Sequence, residues 1–206
     1  MGKRNSAEVN AGSMADIAFL LLIFFLVTTT IEKDKGILRQ LPKKEDIKDP
    51  IDVRKRNIFM INMNSYGDLL INDKVVPIEE IKTRAIQFID NGGDTNPLSI
   101  YYCDYCKGDR KSDASDHPDK AIISITVNRD TPYENYVAAQ NELNAAYNHL
   151  RNRESQRLYG YNFTDIDKAV KDGSFSGDLS KVKAELKVVR SMYKMLISEA
   201  ETQFRS

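Results

Sequence analysis

Ala11-Gly-Ser-Met-Ala-Asp16-Ile-Ala-Phe-Leu-Leu-Leu-Ile-Phe-Phe-Leu-Val-Thr-Thr-Thr-Ile31 is the stretch from which the rest of the chain is read. No charge interrupts it from Ile17 to Ile31, yet fifteen helical residues reach only about 22 Å against a hydrocarbon core of about 30 Å. Starting the helix at Ala11 gives roughly 31 Å, enough to span, with Asp16 about 8 Å inside the N-terminal edge. An acidic group at that depth is costly, so an intramembrane aspartate is by default a functional hypothesis. The less specific alternative is a tilted helix in a locally thinned bilayer, with Asp16 at the interface.

Taken whole, the 206 residues have a polar composition: 41% hydrophobic, 29% charged, mean hydropathy −0.47. The unusual hydrophobicity is concentrated in that one block, which implies a single-pass anchor carrying a polar domain. Thirty basic residues balance thirty acidic ones, and no footprint for nucleic acid follows. A cleaved secretory signal would fit Lys3, Arg4 and the short apolar run. Thr-Thr-Thr-Ile-Glu-Lys after the run contains no small-x-small cleavage site, which favours a retained anchor. Lys33, Lys35, Arg39, Lys43 and Lys44 outnumber Lys3 and Arg4, so a plain Lys/Arg count puts the C-terminal side in the cytoplasm. That rule weakens when a long domain follows the span.

Taken in order, residues 1–10 form a polar tail and residues 11–31 the span. On a helix, Asp16, Leu20, Ile23, Val27 and Thr30 share one stripe with Phe19 beside it, a face suited to protein or a wet cavity. Residues 32–56, with Pro42 and Pro50, read as a charged linker whose one apolar patch is Ile37-Leu38-Arg39-Gln40-Leu41-Pro42. From residue 57 a small domain begins, with strands expected at Ile58–Met63, Leu69–Ile71 and Val75–Val76. Pro77 opens a helix stepping through Ile78, Ile81, Ala85 and Phe88 to Asn91-Gly92-Gly93. Residues 91–119 read as a loop-like insertion, with Ser99–Tyr102 a candidate edge strand. Ala121–Val127 is the clearest strand. Thr131-Pro132-Tyr133-Glu134 predicts a capping box opening a helix along Tyr133, Tyr136, Val137, Gln140, Leu143, Tyr147 and Leu150. Residues 151–206 are expected to form a helical extension: polar and aromatic residues, a loop at 171–180, then a helix through Val182, Leu186, Val189, Tyr193, Leu196 and Ala200. The fold class expected is a single transmembrane α-helix followed by a small α/β (α+β) domain with a helical C-terminal extension.

Three constellations could carry chemistry. A carboxyl taken out of water favours its neutral form, so Asp16 could hold a proton in the membrane and release it when rehydrated. One helix cannot enclose such a path, so a multi-span membrane partner is required. Cys103-Asp-Tyr-Cys106 fits a local disulfide, free thiols, a zinc half-site with His117 and Asp113 or Asp116, or a redox pair. Its loop setting favours the disulfide or thiols over metal and redox chemistry. The chain has two histidines, His117 and His149, no Gly-x-Ser-x-Gly, no phosphate loop and no His-Glu-x-x-His. No enzyme active site is read, and no cofactor.

Val9-Asn10, a span opening Met14-Ala15-Asp16-Ile17 and running Leu-Leu-Leu-Ile-Phe-Phe-Leu-Val, and Leu41-Pro42 shortly after resemble the ExbD/TolR family. The strands, the helix at 77–90 and Asn128-Arg129-Asp130 before Thr-Pro-Tyr are similar to that family's periplasmic α/β domain, over roughly residues 8–150. The resemblance implies that Asp16 is the proton-carrying carboxylate of an inner-membrane, proton-driven motor, and that Phe19, Leu20, Ile23, Val27 and Thr30 face a partner. It implies a cytoplasmic N-terminus, a periplasmic domain, a second ExbD-like chain, an ExbB-like multi-span ring and a TonB-like transducer. It also marks Leu41 and Pro42 as a regulatory or partner-contacting segment. Service in the Tol system is the alternative within the family, and a membrane-tethered binding protein with no proton role the alternative outside it. The insertion at 91–119 and the residues after 150 depart from the family pattern, and the family's last strand is not identifiable.

Overall fold

The computed structural model describes residues 11–28, 54–71 and 74–201. Contacts divide the chain into two compact units, Met1–Asp49 and Pro50–Ser206. In the first, Ala, Leu and Met favour helix and no proline intervenes, giving helix α1 over Ala11–Thr28. Its eighteen residues rise about 27 Å, against about 30 Å of hydrocarbon. Among the described residues no helix is long and apolar enough to cross a membrane. The expected span is thus helical as far as Thr28, and residues 29–31 lie outside the described residues. So do the tail at 1–10 and the linker as far as residue 53.

The second unit is built on a five-stranded mixed sheet in the order β3-β2-β1-β4-β5. Strand β1 (Ile58–Met63) pairs antiparallel with β2 (Leu69–Ile71), which pairs antiparallel with β3 (Lys74–Val76). Asn64 makes the first turn: its side-chain carbonyl accepts from the Tyr66 and Asp68 amides at 3.0 and 2.8 Å. Strand β4 (Ile122–Val127) lies parallel to β1, with Ile61 opposite Ile125. A parallel pair needs a crossover, and here helix α2 (Glu80–Ile89) lies on it. That helix starts one turn later than Pro77 suggested.

Alternation along β1 buries Phe59, Ile61 and Met63 and leaves Met60 and Asn62 on the open face. The buried face packs on Ile81, Ala85, Phe88 and Ile89 of α2 and on Ala139, Leu143, Ala146, Tyr147 and Leu150 of helix α3 (Tyr133–Tyr159). Each large aliphatic chain so enclosed contributes about 1.5–3 kcal/mol. The capping box does not form. Thr131 donates its hydroxyl to the Asn64 carbonyl at 2.9 Å, pinning the start of α3 to the β1–β2 turn, and Pro132 takes the N-cap position.

The largest differences from the sequence reading fall after residue 150. Helix α3 runs through that boundary to Tyr159, where Gly160 at φ 77° ends it. Helices α4 (Phe163–Asp172) and α5 (Leu179–Met192) then form a hairpin with its own core of Phe163, Leu186 and Val189. Asn152 fastens it to α3 by accepting from the Thr164 amide at 2.9 Å, and the Asp178 carboxylate caps α5. The last helix stops at Met192. Of the stripe predicted for it, Val182, Leu186 and Val189 are helical, Tyr193 is at the C-cap, Leu196 is in the connection, and Ala200 is in strand β5 (Ile197–Glu201). That strand pairs parallel with β4, Ile123 opposite Ile197, so residues 151–206 include a strand of the domain's sheet. Ser99–Tyr102, a candidate edge strand, is a pair of turns instead.

Candidate functional site

Asp16 is the only charged residue of α1. Four and seven positions further along are Leu20 and Ile23, on the same face at helical spacing. Phe19, Leu20 and Ile23 are all exposed, as are the other large apolar side chains from Met14 to Phe25. Val27 is within α1, whereas Thr30, Leu41 and Pro42 lie outside the described residues.

In the second unit, the insertion at 91–119 folds against the C-terminal end of α2. Asp90 is at the α2 C-cap, where the helix dipole disfavours a carboxylate. It is buried, and a bidentate guanidinium offsets the cost: Arg153 Nη1 and Nη2 donate to its two oxygens at 2.5 and 2.9 Å. The Tyr193 hydroxyl donates to the same carboxylate at 2.7 Å, and Arg153 reaches that hydroxyl at 2.7 Å. Burial and the neighbouring Asp90 charge push the Tyr193 phenol well up. Arg153 also donates to Glu154, a fully buried carboxylate that takes a second hydrogen bond from Arg157 at 2.6 Å. This cluster joins α2, α3 and the segment after α5, and the Lys107 amide donates to Asp90 at 3.2 Å. Gly108 crosses so close that a Cβ there would meet the Asp90 carbonyl oxygen at 2.5 Å.

Asn91 anchors the insertion further, donating to the Lys111 and Ser115 carbonyls at 2.9 Å and accepting from the Lys111 amide at 2.8 Å. The buried Asp116 is held by Asn57 and Arg56, so the insertion's end is tied to the domain's start. Cys103 and Cys106 are joined by a disulfide and buried. Among the described residues, no group of three or more His, Cys, Asp or Glu side chains is placed to hold a metal ion. Sequence reading missed the Asp90–Arg153–Tyr193 cluster. The available signal was a carboxylate at the wrong end of a helix dipole.

His117 belongs to the same region. Its Nδ1 accepts from the Asp119 amide at 3.1 Å, and its ring meets the Tyr105 ring edge-on. Burial holds the imidazole below its ordinary value of 6.5. Above that value folded and unfolded chains are both neutral. As pH falls below it the unfolded chain binds the proton first, so stability is lost until the lower folded value is passed. Thermal melting should therefore occur at lower temperature near about pH 5.5 than near about pH 7.5. His117→Asn, whose carbonyl can still accept from Asp119, should remove most of that difference. An unchanged pH dependence in the variant would contradict the assignment.

The family described as Biopolymer transport protein ExbD/TolR matches residues 2–152. The chain belongs to that family. It is also similar to a protein of Vibrio cholerae serotype O1 named Biopolymer transport protein exbD2, 26% identical over 80 residues, or 39% of this chain and 57% of that one. The chain thus spans little more than half the length of this relative. No solved structure matches the chain. The match of the family extends from the polar tail through α1 into α3, and stops short of α4, α5 and β5.

Proposed function

We propose that the chain is an ExbD-like subunit of a proton-driven motor in the inner membrane, energising TonB-dependent transport across the outer membrane. Membership of the ExbD/TolR family supports this reading, and the observation that carries it is Asp16 as the lone charge on an otherwise apolar helix. The apolar sequence continues beyond Thr28 to Ile31, long enough for a span that takes Asp16 inside. Its neutral form tolerates hydrocarbon and its charged form requires water or a partner. A carboxyl that meets one aqueous side protonated and the other deprotonated moves one charge, worth about 2.3 kcal/mol per 100 mV.

The helix would enter an ExbB-like multi-span ring together with a second copy of this chain, Phe19, Leu20 and Ile23 facing the ring. The N-terminus is cytoplasmic in this account and the second unit periplasmic, docking a TonB-like transducer, with no catalytic chemistry and no cofactor. The Cys103–Cys106 disulfide suits that oxidising compartment. A strain lacking the chain should lose energised uptake of large outer-membrane ligands while keeping its resistance to detergents. Retained uptake with detergent sensitivity would instead assign the chain to TolR-like envelope maintenance.

A further inference from the structure

The insertion ends in a tip, Asn96-Pro-Leu-Ser-Ile-Tyr101, that presents two aliphatic side chains almost wholly to solvent: Leu98 is 93% exposed and Ile100 86%. Its backbone is held in shape. Asp94 accepts from the Ser99 hydroxyl at 2.5 Å and from the Asn96 amide at 3.0 Å, and Asn96 accepts from the Leu98 amide at 3.0 Å. Arg110 clamps both stems, donating to the Gly92 carbonyl at 3.1 Å on one side and the Cys103 carbonyl at 3.0 Å on the other. Just below, the disulfide closes the returning strand of the loop. Two aliphatic side chains kept in solvent by a braced loop are a small apolar surface open to a partner.

Behind the aliphatic pair are Tyr101, 38% exposed, and the half-buried Tyr102. Behind the tyrosines are cations: Lys120 over the Tyr101 ring and Arg110 over the Tyr102 ring, each 4.9 Å from the centroid. Aliphatic, then aromatic, then cationic is the order of groups met on leaving a bilayer through its interface. The chain also enters the domain at this end. Arg54 and Arg56 pair with Asp116, whose carbonyl accepts from the Asp94 amide at 3.3 Å at the foot of the tip, and Lys55 between them is exposed.

We propose that Leu98 and Ile100 form an interfacial anchor that seats this end of the domain in the headgroup region of an anionic phospholipid bilayer. The proposal rests on the reading of α1 as a membrane tether, since the linker that follows α1 joins the domain at Arg54. Lys55 and Lys120 supply the charge complement to anionic headgroups, and the braced loop limits the ordering cost of insertion.

The test uses the full chain reconstituted in vesicles of phosphatidylethanolamine and phosphatidylglycerol, with bimane attached at Leu98→Cys or, for reference, at the distant turn through Tyr66→Cys. The native cysteines are paired and leave the new thiol as the reactive one. At position 98 the probe should shift to the blue, lose most of its emission to doxyl-labelled lipid and resist aqueous iodide. At position 66 it should do the reverse. Replacing phosphatidylglycerol with phosphatidylcholine should weaken the lipid quenching at 98. Iodide access at 98 equal to that at 66, in vesicles that still carry the chain on flotation, overturns the anchor and leaves the tether standing. Protection from iodide without lipid quenching also overturns it, in favour of a protein surface. Failure of the chain to float with vesicles overturns the tether and the anchor together.

Discussion

Replacing Asp90 with Ala is expected to destabilise the second unit by about 1.5–3 kcal/mol, the scale of the charge-assisted hydrogen bonds that the half-buried Arg153 guanidinium would lose. Asp90 and Glu154 are each almost fully enclosed, and Arg153 is shared between them. Without Asp90, Arg153 keeps Glu154 but loses two charge-assisted hydrogen bonds, and Tyr193 loses its acceptor. The Lys107 amide is released as well. Damage should therefore extend beyond global stability: the insertion should become the first site of proteolytic cutting, ahead of the α4–α5 hairpin. Denaturant unfolding and limited proteolysis of the full chain in detergent measure the two effects. A double-mutant cycle with Arg153→Met isolates the part of the loss that belongs to the pair, since Arg153→Met alone also takes one of its two guanidinium partners from the buried Glu154. A loss below about 1 kcal/mol, the level of a solvent-exposed ion pair, would show that the cluster does not hold the insertion in place.

Much of the sheet and its two packed helices was legible because period-two and helical apolar patterns persist there. Phe59, Ile61 and Met63 alternate, and Ile81, Ala85 and Phe88 repeat at helical spacing, so burial follows from pattern. Strand β5 was not legible. Ile-Ser-Glu-Ala-Glu favours helix by local propensity, and Leu196 and Ala200 continue a helical stripe. Pairing with β4 overrides that preference, and Gln140 and Tyr136 of α3 hold Glu199 from the side. The intervening hairpin delays the strand by some forty residues of chain, which is why it could not be found directly after the helix from Tyr133. Helix α4 did carry a signal, since Phe163, Ile166 and Val170 share a face.

The candidate sites divide in the same way. Asp16 was legible because a charge in an apolar run is a local anomaly. The Asp90–Arg153–Tyr193 cluster was not, because its members are separated by 63 and 103 residues and each alone is an ordinary surface type. The tip was hidden for a similar reason: Leu98 and Ile100 look like a strand, and only the turns that display them reveal otherwise.

Asp16→Asn carries the larger functional consequence. Asparagine keeps the size and polarity of the side chain, so α1 should form and insert as before, and the chain should reach its normal level. On the proposed motor reading, what the variant loses is the exchange of a proton for charge: an amide cannot be deprotonated in this range and so cannot couple to the membrane potential. Uptake that depends on the proton motive force should fall to the level of a strain lacking the chain. Asp16→Glu retains a titratable carboxyl one methylene further out and should preserve part of the activity, which separates a proton role from a merely polar one.

The most direct measurement is energised outer-membrane uptake in cells carrying Asp16→Asn at wild-type abundance, beside Asp16→Glu and a collapsed proton gradient. The account predicts that the Asn variant matches the collapsed gradient while the Glu variant retains uptake. Full uptake by the Asn variant would contradict it, leaving α1 as an anchor and Asp16 as a group without a role in coupling.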